Sequence, residues 1–186
     1  MRPRNLAIAI GLAFVLLFFS RGTMAKGDLS EWDALIKSAS RKWNVPWRWI
    51  KAVALNESDY GRYPSVALGI RNPDDLEGSV SDDKLSYGFM QMTLSTAQWL
   101  VPGITARDLN NPAVSIDLGA RYLRWLMDRP ASQGGDREWV IRGYNGGPGW
   151  AVTSKGPAMT AVYYERFLRN LDLVMELDPG SEMEIG

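Results

Sequence analysis

The sequence contains no cysteine and no histidine. Without a thiol there are no disulfides, no cysteine nucleophile and no zinc-finger spacing. Without an imidazole, every Ser-His-Asp or Cys-His arrangement is excluded. A surplus of charge is missing too. The 21 Lys and Arg residues balance 21 Asp and Glu, and no basic stripe breaks that balance. The usual footprint of a nucleic-acid partner is therefore lacking. No EF-hand loop and no internal repeat are present. Bond-breaking chemistry in this chain must rest on carboxylates, hydroxyls, amides or lysine. A metal site would have to be built from carboxylates alone; neither a metal nor a cofactor is expected.

What is present begins with an address. Arg2 and Arg4 form a positive start, Leu6–Phe19 is an uninterrupted apolar run, and Thr23-Met24-Ala25 resembles a small-residue cleavage site. The run, about 14 residues long, is short of the roughly 20 that a spanning helix needs. Residues 1–25 are expected to be a signal peptide, with a retained membrane anchor as the alternative. Either one carries the rest of the chain out of the cytoplasm. The 186-residue length then leaves enough for one domain with a real core.

From Ser30 the pattern is helical. Ser30-Glu31-Trp32-Asp33 resembles a capping box opening a helix to about Trp43. Pro46 suits the first turn of a second helix, along which Ile50, Val53, Ala54 and Glu57 share one face. Residues 59–86 differ: Gly61, Pro64, Gly69, Pro73 and Gly78 break any period, and Asp74, Asp75, Glu77, Asp82 and Asp83 make the stretch acidic. It reads as a long surface excursion with room for a small β-hairpin. Helix signals return at Ser95–Leu100. Asn111 and Pro112 then open a stronger helix with Ile116, Ala120, Leu123 and Met127 on one face, where Gly119 would let another helix approach. Asp136 caps a short helix to Tyr144 that Gly146, Gly147, Pro148 and Gly149 terminate. The last helix carries Ala161, Tyr164, Leu168, Leu171 and Met175 as its stripe. The expected organisation is a leader at 1–25, a compact, mainly α domain at 26–177, and an acidic, flexible tail at 178–186.

Three short motifs carry chemistry-bearing groups. Glu57 lies at a helix carboxyl end, facing the negative end of the helix dipole, and shares an apolar face. Both circumstances raise a carboxyl pKa and favour a protonated acid near neutrality. Position alone favours the plainer reading, a solvated residue at a frayed helix end. Ser86-Tyr87-Gly88-Phe89-Met90-Gln91-Met92 sets an amide among bulky apolar neighbours, which alone reads as a core-forming turn. Gly143-Tyr144-Asn145-Gly146-Gly147 sets a phenol and an amide beside a flexible loop, which alone reads as a helix stop.

In that order the three are informative together. Glu57-Ser58, Gly88-Phe89-Met90-Gln91 and Tyr144-Asn145-Gly146-Gly147 resemble the signature motifs of soluble lytic transglycosylases, whose domain is goose-type lysozyme-like. Thr96-Ala97, Asp108-Leu109, Asn111-Pro112 and Gly119-Ala120-Arg121-Tyr122-Leu123 extend the resemblance over roughly residues 45–170. It implies cleavage of the peptidoglycan bond from N-acetylmuramic acid to N-acetylglucosamine with a 1,6-anhydro product. Glu57 would act as acid and then as base. Ser58, Ser86, Met90, Gln91, Tyr144 and Asn145 would bind substrate, with Tyr144 and Asn145 facing Glu57 across the groove and holding the acid and the muramyl residue in place. The implied partners are peptidoglycan glycan strands, the membrane through the leader, and envelope-spanning machinery.

The chain departs from the family's usual text in three places. Ser86 and Leu85 stand where Gly-Ala is common, Asp82 replaces a frequent serine, and Thr160 stands where many members carry a Glu four residues before the last helix's tyrosine. Two alternatives follow. A hydrolytic lysozyme would use water and a second carboxylate, for which Asp74, Asp75, Asp82 and Asp83 are candidates. A non-catalytic glycan-binding part of a secretion system or phage particle is the other.

Overall fold

The computed structural model describes residues 29–61, 86–129, 136–151 and 158–180. The expected leader, nearly all of the 59–86 excursion and the end of the tail lie outside the described residues. No helix among those described is long and apolar enough to cross a membrane. The expectation of a mainly α domain holds: helices dominate, with one two-stranded sheet.

Helix α1 (Asp33–Trp43) starts at Trp32, whose side chain makes no capping bond, so the expected Ser30 capping box does not set its start. The acid of that box is committed elsewhere. Asp33 Oδ1 receives the Lys51 ammonium at 2.5 Å and the Tyr60 hydroxyl at 2.8 Å. Helix α2 (Trp47–Ser58) is buried on nearly every side, and Ile50, Val53 and Ala54 are fully covered. Two cations are buried with it because each has partners: Lys51 has Asp33, and Arg48 donates to the carbonyls of Asp178 and Gly180. Residues 178–180, expected to begin a flexible tail, are thus tied back onto α2.

The strands β1 (Ser86–Tyr87) and β2 (Met92–Thr93) pair antiparallel, Ser86 opposite Thr93 and Tyr87 opposite Met92. The hairpin therefore begins where the 59–86 excursion ends, and the glycine-containing motif is its turn. Gly88 is required there: its φ is +72°, and an added Cβ would lie 1.8 Å from the Leu109 carbonyl oxygen. Helix α3 (Leu94–Leu100) follows, capped by Thr93, then α4 (Ala106–Leu109) with a Thr105/Asp108 capping box.

Helix α5 (Pro112–Met127) opens as the sequence indicates, with Asn111 Oδ1 accepting from the Ala113 N–H and Pro112 in the first turn. Ile116, Ala120 and Leu123 are buried. The nearest neighbour of Gly119 is a side chain from the hairpin turn rather than another helix. It is Met90, whose Cε and Cγ would lie 2.8 Å from an added Cβ. Asp136 caps α6 (Arg137–Gly146), which runs two residues past Tyr144 before Gly147 turns the chain into α7 (Pro148–Ala151).

Helix α8 (Ala158–Leu177) packs along α2 and α6. Its buried stripe is Thr160, Tyr163, Phe167, Leu171 and Val174. Of the expected stripe Leu171 is buried, whereas Ala161, Tyr164, Leu168 and Met175 each stand one position from a buried residue, because both rows are apolar enough to be core. The polar members Thr160 and Tyr163 have partners on α6 and α2 that period alone does not reveal.

Candidate active site

Glu57 sits in the last turn of α2, and the chain leaves that helix through Asp59 and Tyr60, both in the left-handed region at φ 49° and 60°. Ser58 braces the exit. Its hydroxyl donates to the Phe89 carbonyl at 2.7 Å and accepts from the Gly61 N–H at 2.8 Å. The hairpin turn is thereby fastened to the end of Glu57's own helix. Met90 N–H donates to Ser115 Oγ on α5 at 2.9 Å, and the Tyr144 hydroxyl on α6 donates to the Met90 carbonyl at 2.9 Å. Gln91 takes a left-handed φ of 45° and bonds back to the Gly88 carbonyl through its side-chain amide at 2.8 Å. Such backbone strain persists where neighbours over-determine it, and here it surrounds one acid.

These elements enclose a cleft of about 310 Å³ lined by Glu57, Ser86, Gln91, Met92, Thr93, Thr96, Tyr122, Tyr144, Asn145, Gly146 and Gly147. Glu57 is its single carboxylate among the described residues. Those residues also bring together no group of three or more acids that would hold a metal ion. The Tyr163 hydroxyl donates to Glu57 Oε1 at 2.5 Å. Asn56 fixes the tyrosine's position: its amide donates to the Tyr163 carbonyl at 3.1 Å and its oxygen accepts from Asn170 at 2.6 Å.

Burial pushes the Glu57 pKa up to about 7, against the opposing pull of the Tyr163 hydrogen bond and the Arg166 charge. Glu57 is partly exposed as a residue while its carboxyl is surrounded by protein, as a group on a cleft floor must be. Burial, followed by the charge of Glu57, raises Tyr163 and Tyr144 well above the ordinary phenol value. Both stay protonated, and Tyr163 remains a donor in either state of the acid.

The structure brings Glu57, Ser86, Gln91, Tyr144 and Asn145 to one cleft, but it leaves Ser58 and Met90 out. Both are fully buried, and both act on the site from behind, through the hydrogen bonds just described. Tyr144 also differs from expectation. Its hydroxyl is spent on the Met90 carbonyl, and the tyrosine that holds the acid is Tyr163. Tyr163 carried no signal of its own in the sequence, because its neighbour Tyr164 fits an amphipathic stripe equally well; Tyr164 instead accepts from Arg137. Counting back four residues from Tyr163 reaches Met159 rather than Thr160, whose hydroxyl accepts from Arg142 at 3.2 Å. Thr96 and Tyr122, which in the sequence only extend the resemblance, and Thr93, which carries no signal there, also line the cleft.

A mainly helical domain with a hairpin turn and a facing tyrosine closing over one buried acid is a lysozyme-like helical domain. More particularly, residues 34–161 match the family described as Transglycosylase SLT domain, and the chain belongs to that family. Among curated proteins it is similar to the membrane-bound lytic murein transglycosylase F of Aeromonas salmonicida (strain A449), at 28% identity over 134 residues. That alignment covers 70% of this chain and 23% of the relative, so the chain spans less than a quarter of that protein's length.

Proposed function

We propose that this chain is a peptidoglycan lytic transglycosylase that cuts the β-1,4 bond between N-acetylmuramic acid and N-acetylglucosamine. The observation that carries the reading is the Glu57 carboxyl: lodged on a cleft floor, held by Tyr163, and poised at about 7. Membership of the SLT family and likeness to a protein named a lytic murein transglycosylase support it. An acid with that pKa keeps its proton in a large share of molecules near neutrality and in most of them below it, as general-acid work requires.

The chemistry needs one carboxylate used twice. Glu57 gives its proton to the glycosidic oxygen, the C1–O bond breaks, and the N-acetylglucosamine hydroxyl departs. The Glu57 carboxylate then takes the proton of the muramyl C6 hydroxyl as O6 bonds to C1. This leaves the 1,6-anhydro sugar and returns the acid to its starting form. An internal hydroxyl has a high effective concentration, so no water and no second carboxylate are needed. Tyr163, donating to Glu57, steadies the carboxylate between the two steps. Ser86, Gln91, Thr93, Thr96 and Asn145 supply the polar lining that a sugar chain would meet. An exported chain would meet this substrate in the cell envelope; the positive start and apolar run of residues 1–25 and the relative's description as membrane-bound support that reading.

Mass spectrometry of digested peptidoglycan tests the reaction. Anhydro-muramyl ends are expected, and reducing ends would replace the proposed ring closure with hydrolysis. Glu57→Gln should lower the rate by at least about 100-fold; unchanged lysis by that variant would sink the assignment of Glu57.

A further inference from the structure

The cleft does not end in a polar rim on every side. Tyr144 and Tyr122, which line it, lie 5.5 Å apart between ring centroids. Tyr122 stacks on Trp125 one helical turn along α5, at 5.8 Å and 13° between planes. Trp125 meets Trp99 edge-on at 4.8 Å. Trp99 stands one turn along α3 from Thr96, another residue of the cleft wall. The two helices that form this wall thus carry a continuous aromatic track away from Glu57, and its outer member is 55% exposed.

Exposed tryptophans are usually incidental when they stand alone, but this one is held in place. Trp125 fixes Trp99 on one side, and the Arg129 guanidinium lies 3.8 Å over the Trp125 ring. A rigid indole that remains half open costs little entropy to dock against, and it presents an apolar face to a partner with C–H bonds on a flat ring. A pyranose has such a face, and Arg129 adds a cation suited to the acidic stem peptides of muramyl units.

We propose that Trp99, backed by Trp125 and Arg129, is an outer sugar-stacking subsite that grips the glycan strand beyond the cleft. The occupant follows from continuity: a strand leaving the cleft past Tyr122 meets no other aromatic platform among the described residues on α3 and α5. The inference rests on the glycan-cleaving reading above.

The test measures binding by the full chain carrying Glu57→Gln, so that the probe is not cut. Purified peptidoglycan glycan fragments from a disaccharide upward are titrated while tryptophan fluorescence is followed. Affinity should rise with strand length. Adding Trp99→Ala should weaken long strands about three- to tenfold and flatten that dependence, whereas Trp99→Phe should keep most of it. Thermal melting of each variant separates loss of binding from loss of fold. If Trp99→Ala bound long strands as tightly as its parent, or lost binding only to anionic phospholipid vesicles, the subsite would be overturned and the cleavage reading left standing. If the parent bound no strand of any length, both would fall.

Discussion

The Tyr163 hydroxyl donates to Glu57 Oε1 at 2.5 Å across 106 residues of chain. The bond joins the end of α2 to the first turns of α8. It acts against the dominant effect of burial by favouring the charged carboxylate. Removing it in Tyr163→Phe should therefore raise the Glu57 pKa further above about 7. The alkaline limb of the pH–rate profile, where the acid loses its proton, should move up with it. The maximal rate should fall, because a carboxyl without its anchor is less well aimed. An unmoved limb would mean that the tyrosine is structural only.

The same raised pKa makes Glu57 a liability to folding above neutrality. The folded residue keeps its proton up to about 7, the unfolded one only to its ordinary 4.5. Between those values the folded state binds more protons, so stability falls as pH rises through the window and is unaffected below it. At about 1.4 kcal/mol per unit, the penalty above pH 7 is about 3.5 kcal/mol at most. Glu57→Gln, which cannot ionise, should be more stable than the native chain at pH 8. The two should converge towards pH 4.5. Urea denaturation at both values measures the difference.

How much of this was legible in the sequence depends on which residues set it. The helix-end place of Glu57, the turn at Gly88 and the Asn111-Pro112 cap are local signals, readable from spacing and caps, whereas the burial of the Glu57 carboxyl is not legible from its position. The choice between Tyr163 and Tyr164 is not local. Two adjacent phenols serve an amphipathic helix equally well, and only the packing of α8 on α2 decides which faces the acid. Gly119 marks a place of close approach in the sequence, and what approaches is Met90, from a turn distant along the chain. Ser58 and Met90 belong to the same motifs but are fully buried, the Ser58 hydroxyl bonded to Phe89 and Gly61 and the Met90 N–H to Ser115, contacts that a local pattern does not reveal.

Gly88 should be the least replaceable residue of the turn. Alanine there would have to adopt a φ of +72° and overlap the Leu109 carbonyl at 1.8 Å, a backbone atom that cannot swing aside. Gly88→Ala should cost about 3 kcal/mol or more, from strain and displaced packing together. A thermal midpoint close to that of the native chain would show that the hairpin can shift on α4 as a unit.

Ser115 gives a subtler route to the same turn. Its buried hydroxyl oxygen is the acceptor for the Met90 N–H, and the Met90 carbonyl is in turn the acceptor for Tyr144. Ser115→Ala leaves a buried N–H without a partner and should cost about 1–3 kcal/mol. The backbone freed at Met90 also carries the Tyr144 contact and, through Phe89, the bond from Ser58. The loss should therefore reach the cleft as well as the core. Glycan cleavage by the folded variant, measured well below its melting temperature, should fall although Ser115 does not line the cleft. Tyr144→Phe should lower cleavage too, and the double variant should lose less than the sum of the single losses, because both act through one carbonyl. Full additivity in that cycle would separate the two residues and remove the turn as their link.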